Sequence, residues 1–270
     1  MVRSLWSAAT GMKAQQTAVD VIANNLANVN TTGYKTERAE FKSLLYQTMQ
    51  TKTTSSDGTQ KPINAQVGLG VRNAAIRSTF KQGNFNAVES DTAFAINGDG
   101  FFALQYGDSV RYTRNGDFTW AIASNGYALT SSDGSPVLDD TGKPIVVSGD
   151  YNMNKIGFSQ DGSLCYPDDT NNMQPIGIRI GLYQFNNPSG LTRVGDSSYE
   201  VSAASGEAIN ESTNANVKRS VIAQGYIEQS NVQVADEMVN LIVSQRAYEM
   251  NSKAITTTDT MMEQANNLKR

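Results

Sequence analysis

Two pairs of adjacent carboxylates, Asp139-Asp140 and Asp168-Asp169, are the residues of this chain best suited to acid–base work. Hydrolysis of a glycosidic bond needs two such groups facing each other across a cleft, one to protonate the leaving oxygen and one to attack or to activate water. Both pairs lie in turn-like polar segments, where acids are ordinarily solvated and brace loops. Asp99-Gly100, Asp133-Gly134 and Asp161-Gly162 resemble fragments of a calcium loop, but none continues into the alternating acidic run that such a loop requires, and hairpin turns account for them. Gly68-Leu-Gly70 is too short to cradle a phosphate, and no Lys-Ser or Lys-Thr follows it. Cys165, beside Tyr166-Pro167, has no basic neighbour to activate it. The chain holds no histidine and only this one cysteine, which removes Ser-His-Asp and Cys-His chemistry, histidine metal sites, an internal disulfide and a thiolate zinc cage. The sequence therefore predicts no catalytic, cofactor-binding or metal-binding residue.

The balance of 22 basic against 26 acidic residues gives a net charge of −4, and the basic residues are scattered, so nucleic acid is not expected as a partner. No stretch approaches the roughly 20 apolar residues that cross a bilayer. Met1-Val-Arg-Ser-Leu-Trp-Ser-Ala-Ala-Thr10 opens like a secretory signal, but Lys13, Gln15 and Gln16 interrupt its apolar core. A cytoplasmic protein, or one exported without a cleaved signal, is expected. Charged residues make up 18% of the chain, below the roughly 25% usual in globular domains, and where that deficit lies is informative.

The elements that carry these residues are of two kinds. From Ser4 to Val29, Leu5, Met12, Val19 and Leu26 recur at every seventh position, with Ala8, Ile22 and Val29 on the adjoining line, which predicts an amphipathic helix long enough for a coiled-coil seam. Gly33 is expected to end it. From about Asn231, Leu241, Tyr248, Ile255 and Met262 again recur by sevens, and no proline lies beyond Pro188 to break a second long helix. Between Gln82 and Gly225, short apolar runs at 93–96, 101–104, 144–147 and 178–183 alternate with Asn-Gly and Asp-Gly pairs, the pattern of strands and tight turns. The segment Thr48 to Gln66, rich in Thr, Ser, Gln and Lys, reads as a flexible linker.

The two helices are poor in what stabilises a solitary helix: Asn24, Asn25, Asn28 and Thr256-Thr-Thr258 are weak formers. Between Arg3 and Lys35 only Lys13 and Asp20 are charged, so the charge deficit is concentrated here. Amides and hydroxyls replace the charges, and an amide surface can pair with a copy of itself where a like-charged surface would repel. This surface predicts helical polymerisation through the chain ends, by a contact that repeats without closing.

Four motifs then carry a family resemblance. Ala23-Asn-Asn-Leu-Ala-Asn-Val-Asn-Thr-Thr-Gly-Tyr-Lys35, Ile96-Asn-Gly-Asp-Gly-Phe-Phe102, Tyr112-Thr-Arg-Asn-Gly-Asp-Phe118 and the C-terminal run 225–249 resemble, in order, signatures of the bacterial flagellar rod and hook proteins. The opening 1–12, Leu44-Leu-Tyr-Gln-Thr48 and the overall length are most similar to the distal rod branch, with the proximal rod as the nearest alternative. The resemblance implies an α+β chain: long N- and C-terminal helices forming a coiled-coil-like axial domain (1–45 and 225–270), a rod-type extended stretch (46–80) and an inserted all-β domain (81–224). It implies axial and intersubunit contacts by Leu5, Met12, Val19, Ile22, Asn24, Asn25, Leu26, Asn28, Val29, Leu241, Tyr248, Ile255 and Met262. The implied partners are copies of the chain in a hollow helical assembly, other rod proteins, the hook protein, ring proteins around the rod and the flagellar type III export apparatus. The implied place is the periplasmic part of the basal body. No cofactor and no membrane insertion are expected. The rival from another class is a secreted carbohydrate-binding or carbohydrate-cleaving β-domain that uses Asp139 and Asp168.

Overall fold

Small and apolar residues recurring at helical spacing form α1, Val2–Ala27, and a second, longer run forms α2, Val234–Asn267. At 1.5 Å per residue they extend about 39 and 51 Å. This is a computed structural model, and it describes residues 2–50, 65–123, 126–149, 151–168, 172–214 and 217–268. Helix α1 stops at Ala27, six residues before Gly33, because Asn28 and its neighbours are weak helix formers and fold instead into turns: the Thr31 amide donates to Asn28 O and the Tyr34 amide to Thr31 O. Gly33, at φ +69°, therefore shapes that turn and does not cap the helix. Helix α2 starts three residues later than the sequence suggested. Asp236 and Glu237 in its first turn suit the positive end of the helix dipole. Its threonines sit in mid-helix because Thr256, Thr257, Thr258 and Thr260 donate back to carbonyls three or four residues earlier.

The chain divides into two compact units. One comprises Met1–Ala27, Glu37–Arg77 and Gln233–Arg270, and so holds both helices. In it the strand Glu37–Ser43 pairs with Val71–Ser78, and Tyr46–Gln50 pairs with Ala65–Gly68. The linker expected over 48–66 is thus strand at both of its ends, where Thr48 faces Gln66 in an antiparallel ladder. Its residues 51–64 lie outside the described residues.

The other unit comprises Asn28–Thr36 and Ser78–Val232. Among the described residues its main sheet has six strands in the order Thr192–Gly195, Ser198–Glu200, Ser109–Thr113, Phe101–Tyr106, Leu182–Gln184 and Ile209–Asn210. Phe101–Leu104 is a continuous apolar run because both faces of its strand are covered. Phe102 and Leu104 join a cluster with Phe94, Ile96, Phe118, Leu129 and Ile180, while Phe101 and Ala103 join Tyr112, Phe185 and Tyr199. The expected strand 178–183 is divided. Met173–Arg179 belongs to a three-stranded sheet and Leu182–Gln184 to the six-stranded one, and between them a Cβ on Gly181 would lie 2.4 Å from Asp139 O. Asn97-Gly-Asp-Gly100 is likewise a corner and not a hairpin, since Phe94–Asn97 pairs with Val221–Gln224 while Phe101–Tyr106 lies in the main sheet. The Asp161-Gly162 pair does close a hairpin, with Phe158 opposite Leu164.

Candidate assembly interface

Helix α1 uses its seven-residue recurrences to do several different things inside the helical unit. Asn25, Ala18 and Gly11 form the line turned to α2. The Asn25 amide lies 3.4 Å from Glu237 Oε2, Ala18 lines one groove with Ser244, and a Cβ on Gly11 would lie 2.9 Å from Asn251 Nδ2. As α1 is followed backwards in steps of seven, α2 is followed forwards through 237, 244 and 251, so the two helices run antiparallel with their seam kept in step. Ala8, Ala14, Val21 and Ile22 are buried beside this line, and Glu237, Ser244 and Thr258 are buried on α2. The closest approach is therefore made of small and polar side chains.

The next line of α1 holds the strand ribbon of the same unit. Thr10 Oγ1 accepts from the Val71 amide, Thr17 Oγ1 accepts from Asn73 Nδ2 at 2.7 Å, and Asn24 Nδ2 donates to Glu37 Oε2. Asn25 reinforces this attachment from its buried position: its Oδ1 accepts from the Glu37 amide and its Nδ2 donates to Glu37 O, both at 2.9 Å. The charge-poor surface of α1 is thus partly occupied within its own chain. Lys13 and Asp20 fall on a fully exposed line that also carries Trp6, which is 66% exposed.

The other residues singled out from sequence fall as follows. Leu5, Met12, Val19 and Leu26 are half-buried, and Ile22 is buried. Asn24 is exposed, Asn25 is 1% exposed, and half-buried Asn28 accepts from the Thr31 hydroxyl in the β unit, where half-buried Val29 also lies. On α2, Leu241, Ile255 and Met262 are half-buried and Tyr248 is exposed, lining a groove with Val19, Gln16 and Gln245. Sequence reasoning did not single out Val239, Ile242, Val243 and Met250. They follow one another along α2 at spacings of three, one and seven, and they are 60, 55, 62 and 67% exposed. A helix that presents such a stripe to water has an apolar face without a cover in the single chain. The ribbon adds Leu45, Tyr46 and Met49, all more than half exposed, on a two-stranded arrangement that is marginal alone in water.

Of the acidic pairs, Asp139 is engaged by its own turn: its Oδ1 accepts from the amides of Thr141 and Lys143 and from the Thr141 hydroxyl. Asp169 lies outside the described residues. Cys165 donates weakly to Ser163 O. Among the described residues, no group of acidic or cysteine side chains is gathered to hold a metal ion, and no helix is long and apolar enough to cross a membrane.

The β unit does contain a fully buried charge cluster, whose members Lys35, Arg114 and Glu228 each fall in one of the family motifs although nothing in those motifs shows that they meet. Glu228, 0% exposed, accepts from Lys35 Nζ at 2.6 Å on Oε1 and from Arg114 at 3.4 Å on Oε2. Burial lowers the pKa of both cations, and the Glu228 carboxylate opposes that shift in each. The cluster joins three parts of the chain far apart in sequence, which is a structural duty.

Three family profiles match the chain. They are described as flagella basal body rod protein over residues 5–35, flagellar hook protein FlgE/F/G D1 domain over 95–166, and flagellar basal body rod FlgEFG protein C-terminal over 223–268. Relatives match over the whole length. The flagellar basal-body rod protein FlgG of Borreliella burgdorferi is 44% identical, with 100% of both chains covered. That of Buchnera aphidicola from Schizaphis graminum is 42% identical, covering 99% of this chain and 100% of its own. That of Bacillus subtilis is 35% identical, with 100% of both covered.

Proposed function

The chain belongs to the flagellar basal-body rod protein family, and from that premise we propose that it is a structural subunit of the distal rod, a hollow helical shaft that passes torque from motor to hook. It is a building element and not an enzyme. The observation that carries this proposal is the uncovered apolar stripe of α2, Val239, Ile242, Val243 and Met250. Fully covering one such side chain is worth about 1.5–3 kcal/mol. One chain gains little from so narrow a stripe, but a helical array repeats the gain at every subunit.

In this account the helices of 1–45 and 225–270 form a coiled-coil-like axial domain. The ribbon within 46–80 is an extended arm that rests on neighbouring subunits. Residues 81–224 are an inserted β-domain. Leu5, Met12, Val19, Leu26, Leu241, Tyr248, Ile255 and Met262 line the axial packing, and Ile22, Asn24, Asn25, Asn28 and Val29 hold the N-terminal segment in the shape that packing needs. The partners are further copies of the chain, other rod proteins, the hook protein and the surrounding rings, and the place is the basal body within the periplasm. Delivery is through the flagellar type III export apparatus.

The test is polymerisation of the purified full chain followed by electron microscopy. Wild type is expected to form straight filaments above a threshold concentration. Val239→Asp is expected to remain monomeric with an unchanged melting profile. Filaments of undiminished length from Val239→Asp would remove the stripe from the interface.

A further inference from the structure

The backbone passes between the two units at four places, after Ala27, Thr36, Arg77 and Val232. On the β side, three of the segments adjoining these crossings are bonded to one another through a single side chain. Asn231 Oδ1 accepts from the Thr36 amide at 2.8 Å and from the Thr36 hydroxyl at 2.6 Å. Its Nδ2 donates to Thr79 O and Lys81 O, both at 2.9 Å. An asparagine amide has two donor and two acceptor positions, and all four are engaged here. The Thr79 amide closes the remaining side by donating to Thr36 O at 2.8 Å.

Three residues earlier in the chain, Glu228 repeats the connection among the same segments. Its carboxylate accepts from Lys35 Nζ and from the Gly83 amide, and its main-chain oxygen accepts from the Gly33 amide. Lys35 Nζ also donates to Lys81 O at 2.9 Å. Residues 33–36, 79–83 and 228–231 are thereby tied pairwise at two levels, within a few residues of where each leaves the unit.

We propose that Asn231 and Glu228 form a shear node, which makes three chain crossings respond to torque as one body. This rests on the rod reading given above. A lone backbone segment turns easily about φ and ψ, so it resists stretching but yields to twist. Segments cross-bonded at their roots must deform together, and force entering one is shared by the others. Asn231 is a positioning residue in this arrangement: it sets the spacing of Thr36 and Thr79 and leaves the apolar core alone.

Hydrogen exchange on the full-length protein, with wild type, Asn231→Ala and Asn231→Asp, tests the node. Asn231→Ala removes both halves of the connection and is expected to speed exchange at the Thr36, Thr79 and Gly83 amides together by about tenfold or more, with Phe101–Tyr106 unchanged. Asn231→Asp keeps the acceptor toward Thr36 and loses the donors, so it should loosen 79–83 while leaving Thr36 nearer to wild type. Faster exchange at Thr36 alone would reduce Asn231 to a local cap and overturn the node. Loss of protection throughout Phe101–Tyr106 would make it a core residue and overturn it equally.

The torque role is read in flagellated cells whose own rod subunit is replaced by this chain. Asn231→Ala is expected to give a normal number of flagella but a swimming speed that falls more steeply than wild type as viscosity rises. Speeds that track wild type at every viscosity would overturn that role. A wild-type chain that builds no rod would overturn the rod reading and the torque role with it, while the exchange result would stand by itself.

Discussion

The side-chain amide of Asn25 meets the main chain of Glu37 at both ends, taking the Glu37 amide on its oxygen and giving its own N–H to the Glu37 carbonyl, each at 2.9 Å. A strand neighbour would satisfy Glu37 in the same way, so Asn25 acts as a one-residue strand edge presented by a helix. Because Asn25 is 1% exposed, water cannot replace it.

Asn25→Ala should therefore leave two main-chain groups of Glu37 without their partners, at a cost of about 1–3 kcal/mol for each group that stays dry. Asn25→Asp should be worse, since it places a carboxylate against the Glu37 carbonyl and within reach of the Glu237 carboxylate. Urea unfolding followed by helical circular dichroism would measure both. A midpoint for Asn25→Asp equal to or above that of Asn25→Ala would contradict the assignment.

At Gly11 the two helices leave room for almost no side chain, because an added Cβ would lie 2.9 Å from Asn251 Nδ2. Alanine gains up to about 1 kcal/mol in helix propensity and asks only that a flexible amide shift, so Gly11→Ala should lie within about 1 kcal/mol of wild type. Gly11→Leu overfills the seam and should lose about 1–3 kcal/mol or more. Asn251→Ala in the same chain should recover part of that loss, and the double-mutant cycle measures how much. Absence of any coupling would show that the helices do not approach there.

These two positions also show what was readable in the residues alone. The helices, the α+β class and the central strand Phe101–Tyr106 were legible because apolar residues recur by sevens or stand in an unbroken run. The seam through Gly11, Ala18 and Asn25 was not, because small and polar side chains leave no hydrophobic period even when they are the ones most closely packed. The attachment of the ribbon by Thr10, Thr17 and Asn24 was hidden for the same reason. In the first half of α2 apolar residues occur on several faces, so period alone does not tell half-buried Leu241 from exposed Val239 and Val243. Lys35, Arg114 and Glu228 each stand in a recognisable motif, but their pairing was hidden because Glu228 is 193 residues from one partner and 114 from the other.

In that cluster the three charges are not equivalent. Glu228→Gln leaves Lys35 and Arg114 buried without their carboxylate and should cost about 3–5 kcal/mol. Lys35→Met leaves Arg114 and Glu228 as a matched pair and removes a cation whose burial is unfavourable, so its cost should be clearly smaller. Denaturant midpoints of the two variants give the order, and a Lys35→Met protein as weak as Glu228→Gln would mean that Glu228 depends on the lysine and not on Arg114.

Tyr112 gives the β unit an alkaline limit. Burial, followed by the neighbouring Tyr183, pushes its pKa up from 10 to about 12. The folded protein keeps this phenol protonated where the unfolded chain loses the proton, so the contribution is complete below pH 10 and disappears as pH rises from 10 to about 12. Lys35 has the opposite sign, since its lowered pKa makes burial less costly as pH approaches 10.5. Tyr112→Phe isolates the first effect: its stability should decline less than that of wild type between pH 10 and 12. Parallel decline of the two proteins would assign the alkaline loss to other groups.

Met250 and Ile255 separate the two faces of α2. Met250 is 67% exposed, so Met250→Asp changes a surface position and should move the monomer's stability by no more than about 0.5 kcal/mol. Ile255 is half-buried on the recurrence expected to form the seam. Ile255→Asp should therefore weaken the packing of the helices within the monomer as well as their assembly. Both should abolish filaments, and neither should alter melting of the β unit, followed by near-ultraviolet circular dichroism of its aromatic cluster. The contrast lies in the helical signal of the dilute monomer, which Met250→Asp should preserve and Ile255→Asp should reduce. If both variants lost helix equally, the exposed stripe would be part of the monomer's own packing, and the surface available to neighbouring subunits would have to lie elsewhere.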